Sequence, residues 1–138
     1  MLNFFLKKTN LQYINYQNVQ EYINDNNAII INTLIGSEQG CLIYNTINYT
    51  AEQELFNQLI NNYDFKSKTI VIYGRNCNDN SVMKKANQLI ELGFHNIYIY
   101  NGGLFEWILL QEIYSDEHFK TTSEVDDILK YKPDKMYL

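Results

Sequence analysis

Residues 69–107 read TIVIYGRNCNDNSVMKKANQLIELGFHNIYIYNGGLFEW, and this stretch decides the fold. Thr69 to Tyr73 is an unbroken β-branched and aromatic run, the composition of a strand covered on both faces. A polar loop, Gly74 to Asn80, follows it. Val82, Ala86, Leu89 and Ile90 then recur at helical spacing. Glu91 and Leu92 end that helix, with Gly93 placed for the left-handed C-terminal position. Asn96 to Tyr100 predicts a further strand, Gly102-Gly103 breaks it, and a helix runs on to Ile113 or Tyr114. Two short strands joined by a helix-length crossover form a parallel pair.

The same alternation extends towards the N-terminus. Ala28-Ile29-Ile30-Ile31 is a second continuous β-branched run. Ahead of it, Asn18 and Glu21 have capping-box spacing before a helix carrying Val19, Tyr22 and Ile23, which Asn24 to Asn27 end. Leu11, Tyr13 and Ile14 supply a short edge strand. Gly36 to Gly40 reads as a loop and Cys41 to Ile47 as another short strand. Thr50 and Gln53 form a second capping-box pair, with Leu55, Phe56, Leu59 and Ile60 on one helical face. Strands alternating with helices predict right-handed crossovers onto a mainly parallel sheet. A chain of 138 residues fits one domain, 1–138, with its core in about residues 10–115 and a polar extension, 116–138. In that extension Val125, Ile128 and Leu129 suggest one or two more helical turns, closed by Pro133.

Composition narrows the function classes. A net charge of −5 argues against a nucleic-acid surface, which needs clustered positive charge. Lys66, Lys68, Lys84 and Lys85 are the candidates for a local basic patch and read as solvated lysines. Cys41 and Cys77 make no disulfide framework and have no CxxC partner, and His95 and His118 lie apart from them. No metal or cofactor site is therefore expected, and a reducing, cytoplasmic compartment is. In the N-terminal MLNFFLKK the positive charges follow the apolar patch, which is not a signal-peptide pattern. No run approaches the roughly 18 apolar residues of a spanning helix, so no membrane partner is expected.

The motifs Ile70-Val71-Ile72-Tyr73, Lys85-Ala86 to Leu89, Glu91-Leu92-Gly93-Phe94 and Asn101-Gly102-Gly103-Leu104-Phe105-Glu106-Trp107 resemble the rhodanese-like family in order and spacing. Asn45-Thr46-Ile47-Asn48 is similar to that family's "GAINI" segment. The resemblance covers about residues 10–115 and implies a three-layer α/β/α fold with a five-stranded, mainly parallel sheet. It also implies that Trp107, four residues after Gly103, packs back on the sheet.

In active members of the family a cysteine directly follows the central strand, inside a loop whose N–H groups point at its sulfur. That geometry lowers the thiol pKa and cradles a persulfide or an anion. By the resemblance this loop is Gly74, Arg75, Asn76, Cys77, Asn78, Asp79, Asn80 and Ser81, and Gly74 stands at the cysteine position. An Asp-x-Arg-like pair, frequent in active members, has no counterpart at Asn32, Thr33 or Leu34. Cys77 is the candidate nucleophile if the loop is re-threaded. An exposed non-catalytic thiol and a packed residue are the other readings of it. Arg75 is the charged donor of the loop, a candidate ligand for a small anion or a partner's carboxylate. Cys41 reads as a small buried hydrophobe.

These residues lead to the expectation of a non-catalytic domain with a binding, regulatory or structural role, leaning away from an enzyme. An unidentified protein partner or small anion would meet the 74–81 loop, and a homo-oligomer stays open. The alternative is a sulfurtransferase moving thiosulfate or persulfide sulfur through Cys77. A phosphatase needs an Arg six residues after its cysteine; that count reaches Met83 from Cys77 and Asn80 from Gly74. Neither GxxxxGK[ST] nor GxGxxG occurs.

Overall fold

The computed structural model describes residues 10–136. In chain order these form β1 (Asn10–Ile14), α1 (Tyr16–Tyr22), β2 (Ala28–Asn32), α2 (Tyr49–Asn61), β3 (Thr69–Tyr73), α3 (Asn80–Leu92), β4 (Asn96–Tyr100) and α4 (Gly103–Ile113). Single 3-10 turns lie at Gly36–Glu38 and Ile128–Tyr131. The strands make one sheet in the order β1-β4-β3-β2, every pair parallel. The MLNFFLKK segment lies outside the described residues.

Side-chain alternation along the strands splits the core in two. Ile30, Val71, Tyr73 and Tyr100 face Val19 of α1, Leu104, Trp107 and Ile108 of α4, and Phe119 and Tyr131 beyond it. Ile29, Ile31, Ile70, Ile72, Ile97 and Ile99 face Phe56 and Leu59 of α2 and Val82, Ala86 and Leu89 of α3. Helices cover both faces, so the strands read as continuous apolar runs. Trp107 is fully buried, set edge-on against Phe119 at 5.1 Å, with its indole N–H donating to the Lys120 carbonyl at 2.9 Å.

The expectation of five strands is corrected: the sheet has four. The segment Cys41 to Ile47 makes only two isolated bridges, Ile30–Thr46 and Ile43–Thr121. Apart from the bonds at those bridges, Ile43 and Thr46 are turned to other partners. Ile43 N–H donates to the Tyr73 hydroxyl at 3.0 Å, and the Ile43 carbonyl accepts from the Thr46 hydroxyl at 2.6 Å and Thr46 N–H at 3.1 Å. Asn45 between them has φ of 69°, which curls the chain instead of extending it. A ladder cannot propagate through a turn.

Two helix starts also differ from the sequence expectation. The first helix is capped at Asn15, whose side chain accepts from Gln17 and Asn18 N–H while the Asn18 side chain accepts from Asn15 N–H. The second is capped by Asn48 instead of Thr50. In a chain this rich in Asn, several neighbouring residues at each junction can accept an orphan N–H, and spacing alone does not choose.

Candidate functional site

The loop after β3 is held from two directions. On one side α4 begins: Leu104 N–H donates to the Gly74 carbonyl and Phe105 N–H to the Arg75 carbonyl, each at 2.9 Å. Gly103 makes this approach possible, with φ of 70°, where a β-carbon would stand 2.8 Å from the Gly74 oxygen and 2.9 Å from the Asn76 nitrogen. On the other side α3 begins at its N-cap, Asp79. Its carboxylate accepts Arg75 N–H at 2.9 Å, Ser81 N–H at 3.0 Å and the Ser81 hydroxyl. The Ser81 and Thr33 hydroxyls are hydrogen-bonded to each other at 2.7 Å.

Asp79 therefore fills the space beside the strand end. A β-carbon on Gly74 would lie 2.4 Å from Asp79 Oδ2 and 2.7 Å from Val82 Cγ2. Glycine at position 74 and aspartate at position 79 are one arrangement.

Cys77 stands at the loop's rim and is exposed, with its sulfur 3.8 Å from Asn78 Oδ1. It lines a cleft of about 360 Å³ together with Tyr13, Asn78, Asp79, Asn80, Met83 and Asn101. The cleft lies outside the carboxyl ends of β1, β3 and β4, where open parallel sheets bind ligands. Asn76, by contrast, is buried.

Arg75 does not line that cleft. Its guanidinium lies against Glu38, Nε to Oε1 at 3.2 Å, as an ion pair without an aligned hydrogen bond. It also donates to the Lys130 carbonyl and sits 5.8 Å over the Tyr131 ring. The charged donor of the loop thus has an internal carboxylate. Burial pushes the Tyr131 phenol above its ordinary pKa, partly offset by the Lys130 charge. Cys41 is buried, with its thiol donating to the Ser123 carbonyl at 3.3 Å. His95 is half-buried at the β4 entrance and His118 exposed, both remote from the loop. Sequence reasoning missed Glu38, Tyr131 and Gly103 as neighbours of the loop. Only Asp79 carried a local signal, an N-cap residue ahead of an apolar helical pattern.

Residues 8–110 match the family described as Rhodanese-like domain. The chain belongs to that family. Among curated proteins none matches it. Its rhodanese-like fold is similar to a Saccharomyces cerevisiae protein described as a homolog of single-domain rhodanese and Cdc25 phosphatase catalytic domain. That pair has TM-score 0.62 and 13% identity over 89% of this chain and 93% of the other. The domain is also similar to the As-Sb reductase from Leishmania major, with TM-score 0.52 and 18% identity over 76% and 79% of the two chains. A Saccharomyces cerevisiae single-domain sulfurtransferase matches with TM-score 0.51 and 15% identity over 77% and 95%.

These likenesses correct the expectation that leaned away from an enzyme, since two of the proteins sharing this rhodanese-like frame are described as enzymes. Among the described residues no helix is long and apolar enough to cross a membrane.

Proposed function

We propose that the domain transfers sulfane sulfur, with Cys77 as the nucleophile and carrier. The observation that carries this is the open thiol of Cys77 at the rim of the loop that joins β3 to α3, facing a cleft large enough for a small donor. Family membership and the likeness to a sulfurtransferase support the reaction class. In the first half-reaction the Cys77 thiolate attacks the outer sulfur of thiosulfate. A Cys77 S–S bond forms, the donor S–S bond breaks, and sulfite leaves with the electron pair. In the second, an acceptor thiolate attacks the terminal sulfur of the persulfide and Cys77 is released as thiolate. A low-molecular-weight persulfide donor reacts in the same way, with its thiolate as leaving group.

Intact-mass spectrometry after incubation with thiosulfate, and separately with glutathione persulfide, tests this. The expected result is the gain of one sulfur atom on Cys77, lost on adding dithiothreitol and absent in Cys77→Ser. A wild-type protein that gains no sulfur from either donor, or a Cys77→Ser variant that gains as much, overturns the reading.

A further inference from the structure

Asn76 is 9% exposed, while Cys77 and Asn78 beside it are exposed. Its side-chain amide is used at both ends. Oδ1 accepts Asn78 N–H at 2.9 Å, closing an Asx turn with Cys77 at its apex. Nδ2 donates to the carbonyl of Tyr131, 55 residues away, at 2.9 Å in buried surroundings. The Asn76 carbonyl accepts Asp79 N–H at 3.3 Å, so the turn is also joined to the start of α3. Tyr131 is 1% exposed within the core on the α1–α4 face, so the carbonyl it offers is fixed by packing.

We propose that Asn76 is the positioning residue for the Cys77 thiol, and that the Tyr131 carbonyl is the fixed point against which it sets the thiol's turn. This rests on the sulfur-transfer reading above. Cys77 is exposed, and the hydrogen bond its sulfur makes is a long one to its neighbour Asn78. The aim of the sulfur is therefore inherited from the turn, and the turn is held by the Asn76 amide. A nucleophile misplaced by about 1 Å loses on the order of 10²-fold in rate, whereas mere access to the thiol is unaffected.

The two ends of the amide can be separated. Asn76→Asp keeps an oxygen for Asn78 N–H but sets a carboxylate oxygen against the Tyr131 carbonyl, breaking the tie and sparing the turn. Asn76→Ala removes both. The experiment measures single-turnover sulfur uptake by Cys77 from thiosulfate across donor concentration. Alongside it runs alkylation of Cys77 by iodoacetamide, a small reagent that attacks from any open direction.

The expected result is a maximal uptake rate lowered about 10-fold in Asn76→Asp and about 10²-fold in Asn76→Ala. The half-saturating donor concentration and the alkylation rate should stay within about threefold of wild type. An Asn76→Asp protein as fast as wild type overturns the positioning role, as does alkylation falling in step with uptake. If Asn76→Ala does not fold, the Asn76→Asp comparison decides alone. A wild type that takes up no sulfur overturns the Cys77 reading and this one with it; an active wild type matched by Asn76→Asp overturns this one only.

Discussion

Replacing Gly74 by alanine tests the packing of the loop most directly. The added carbon would stand 2.4 Å from Asp79 Oδ2, 2.7 Å from Val82 Cγ2 and 2.9 Å from Asp79 Cγ. Asp79 cannot simply swing aside, because its carboxylate is held by Arg75 N–H and by both groups of Ser81. Loss of this N-cap is worth about 1 kcal/mol. Crowding against the buried Val82 adds about 1–3 kcal/mol. The reduced freedom of the unfolded chain returns about 0.4–1 kcal/mol. Gly74→Ala is therefore expected to destabilise by about 1–3.5 kcal/mol, and Asp79→Ala alone by about 1–2 kcal/mol. In the double variant the Asp79 contribution is lost once instead of twice, so its destabilisation should fall short of the sum by about 1 kcal/mol. Urea unfolding followed by the fluorescence of the single tryptophan, Trp107, supplies all four corners of the cycle. A Gly74→Ala variant within about 0.5 kcal/mol of wild type would refute the described packing, and strict additivity would show that Asp79 is not the obstacle.

Gly103→Ala should destabilise by about 2–5 kcal/mol, combining a left-handed backbone with overpacking, since its β-carbon meets backbone atoms of the 74–76 loop that cannot rotate away. Thermal unfolding measures it, and a loss under about 1 kcal/mol contradicts the described approach of α4 to the loop. Trp107→Ala should lose about 3–5 kcal/mol, read by circular dichroism because no other tryptophan reports; a loss below about 1 kcal/mol would mean that the ring is not buried. The pH dependence has a definite sign. Burial raises the folded-state pKa of Tyr73 above the ordinary tyrosine value, and burial followed by the Glu106 charge does so for Tyr100. Their stabilisation is complete below the unfolded value, about pH 10, and is lost as pH rises from there towards the folded values. Urea midpoints should fall above about pH 10, less steeply in Tyr73→Phe; an unchanged slope in that variant removes Tyr73 as a cause.

What the sequence made legible follows from how local each signal is. The runs Ala28 to Ile31, Thr69 to Tyr73 and Asn96 to Tyr100 are strands because composition alone commits them, and their parallel pairing follows from the helices between them. Gly93 ends α3 with φ of 111°, again a local requirement. Cys41 to Ile47 has similar composition but is not a strand, because Asn45 turns the chain at φ of 69° and the Tyr73 hydroxyl, 30 residues on, takes the Ile43 N–H. No window of sequence displays that competition. In the site, the strand–loop–helix order and the burial of Cys41 were readable, whereas the exposure of Cys77 was one of several readings the sequence left open. The engagement of Arg75 by Glu38 and of Asn76 by Tyr131 was not, since each joins segments that only the finished fold brings together.

The tie between Asn76 and Tyr131 has a consequence for synthesis. Chains are extended at about 5–20 residues per second, so roughly 3–11 s separate translation of residue 76 from that of residue 131. The hydrogen bond from Leu42 N–H to the Thr122 hydroxyl spans 80 residues and waits longer still. All four strands and all four helices are translated before either tie can close. The tie that anchors the Cys77 turn can thus close only once every strand beneath it has been translated, and until Tyr131 is made a nascent chain carries this thiol on a loop without that anchor.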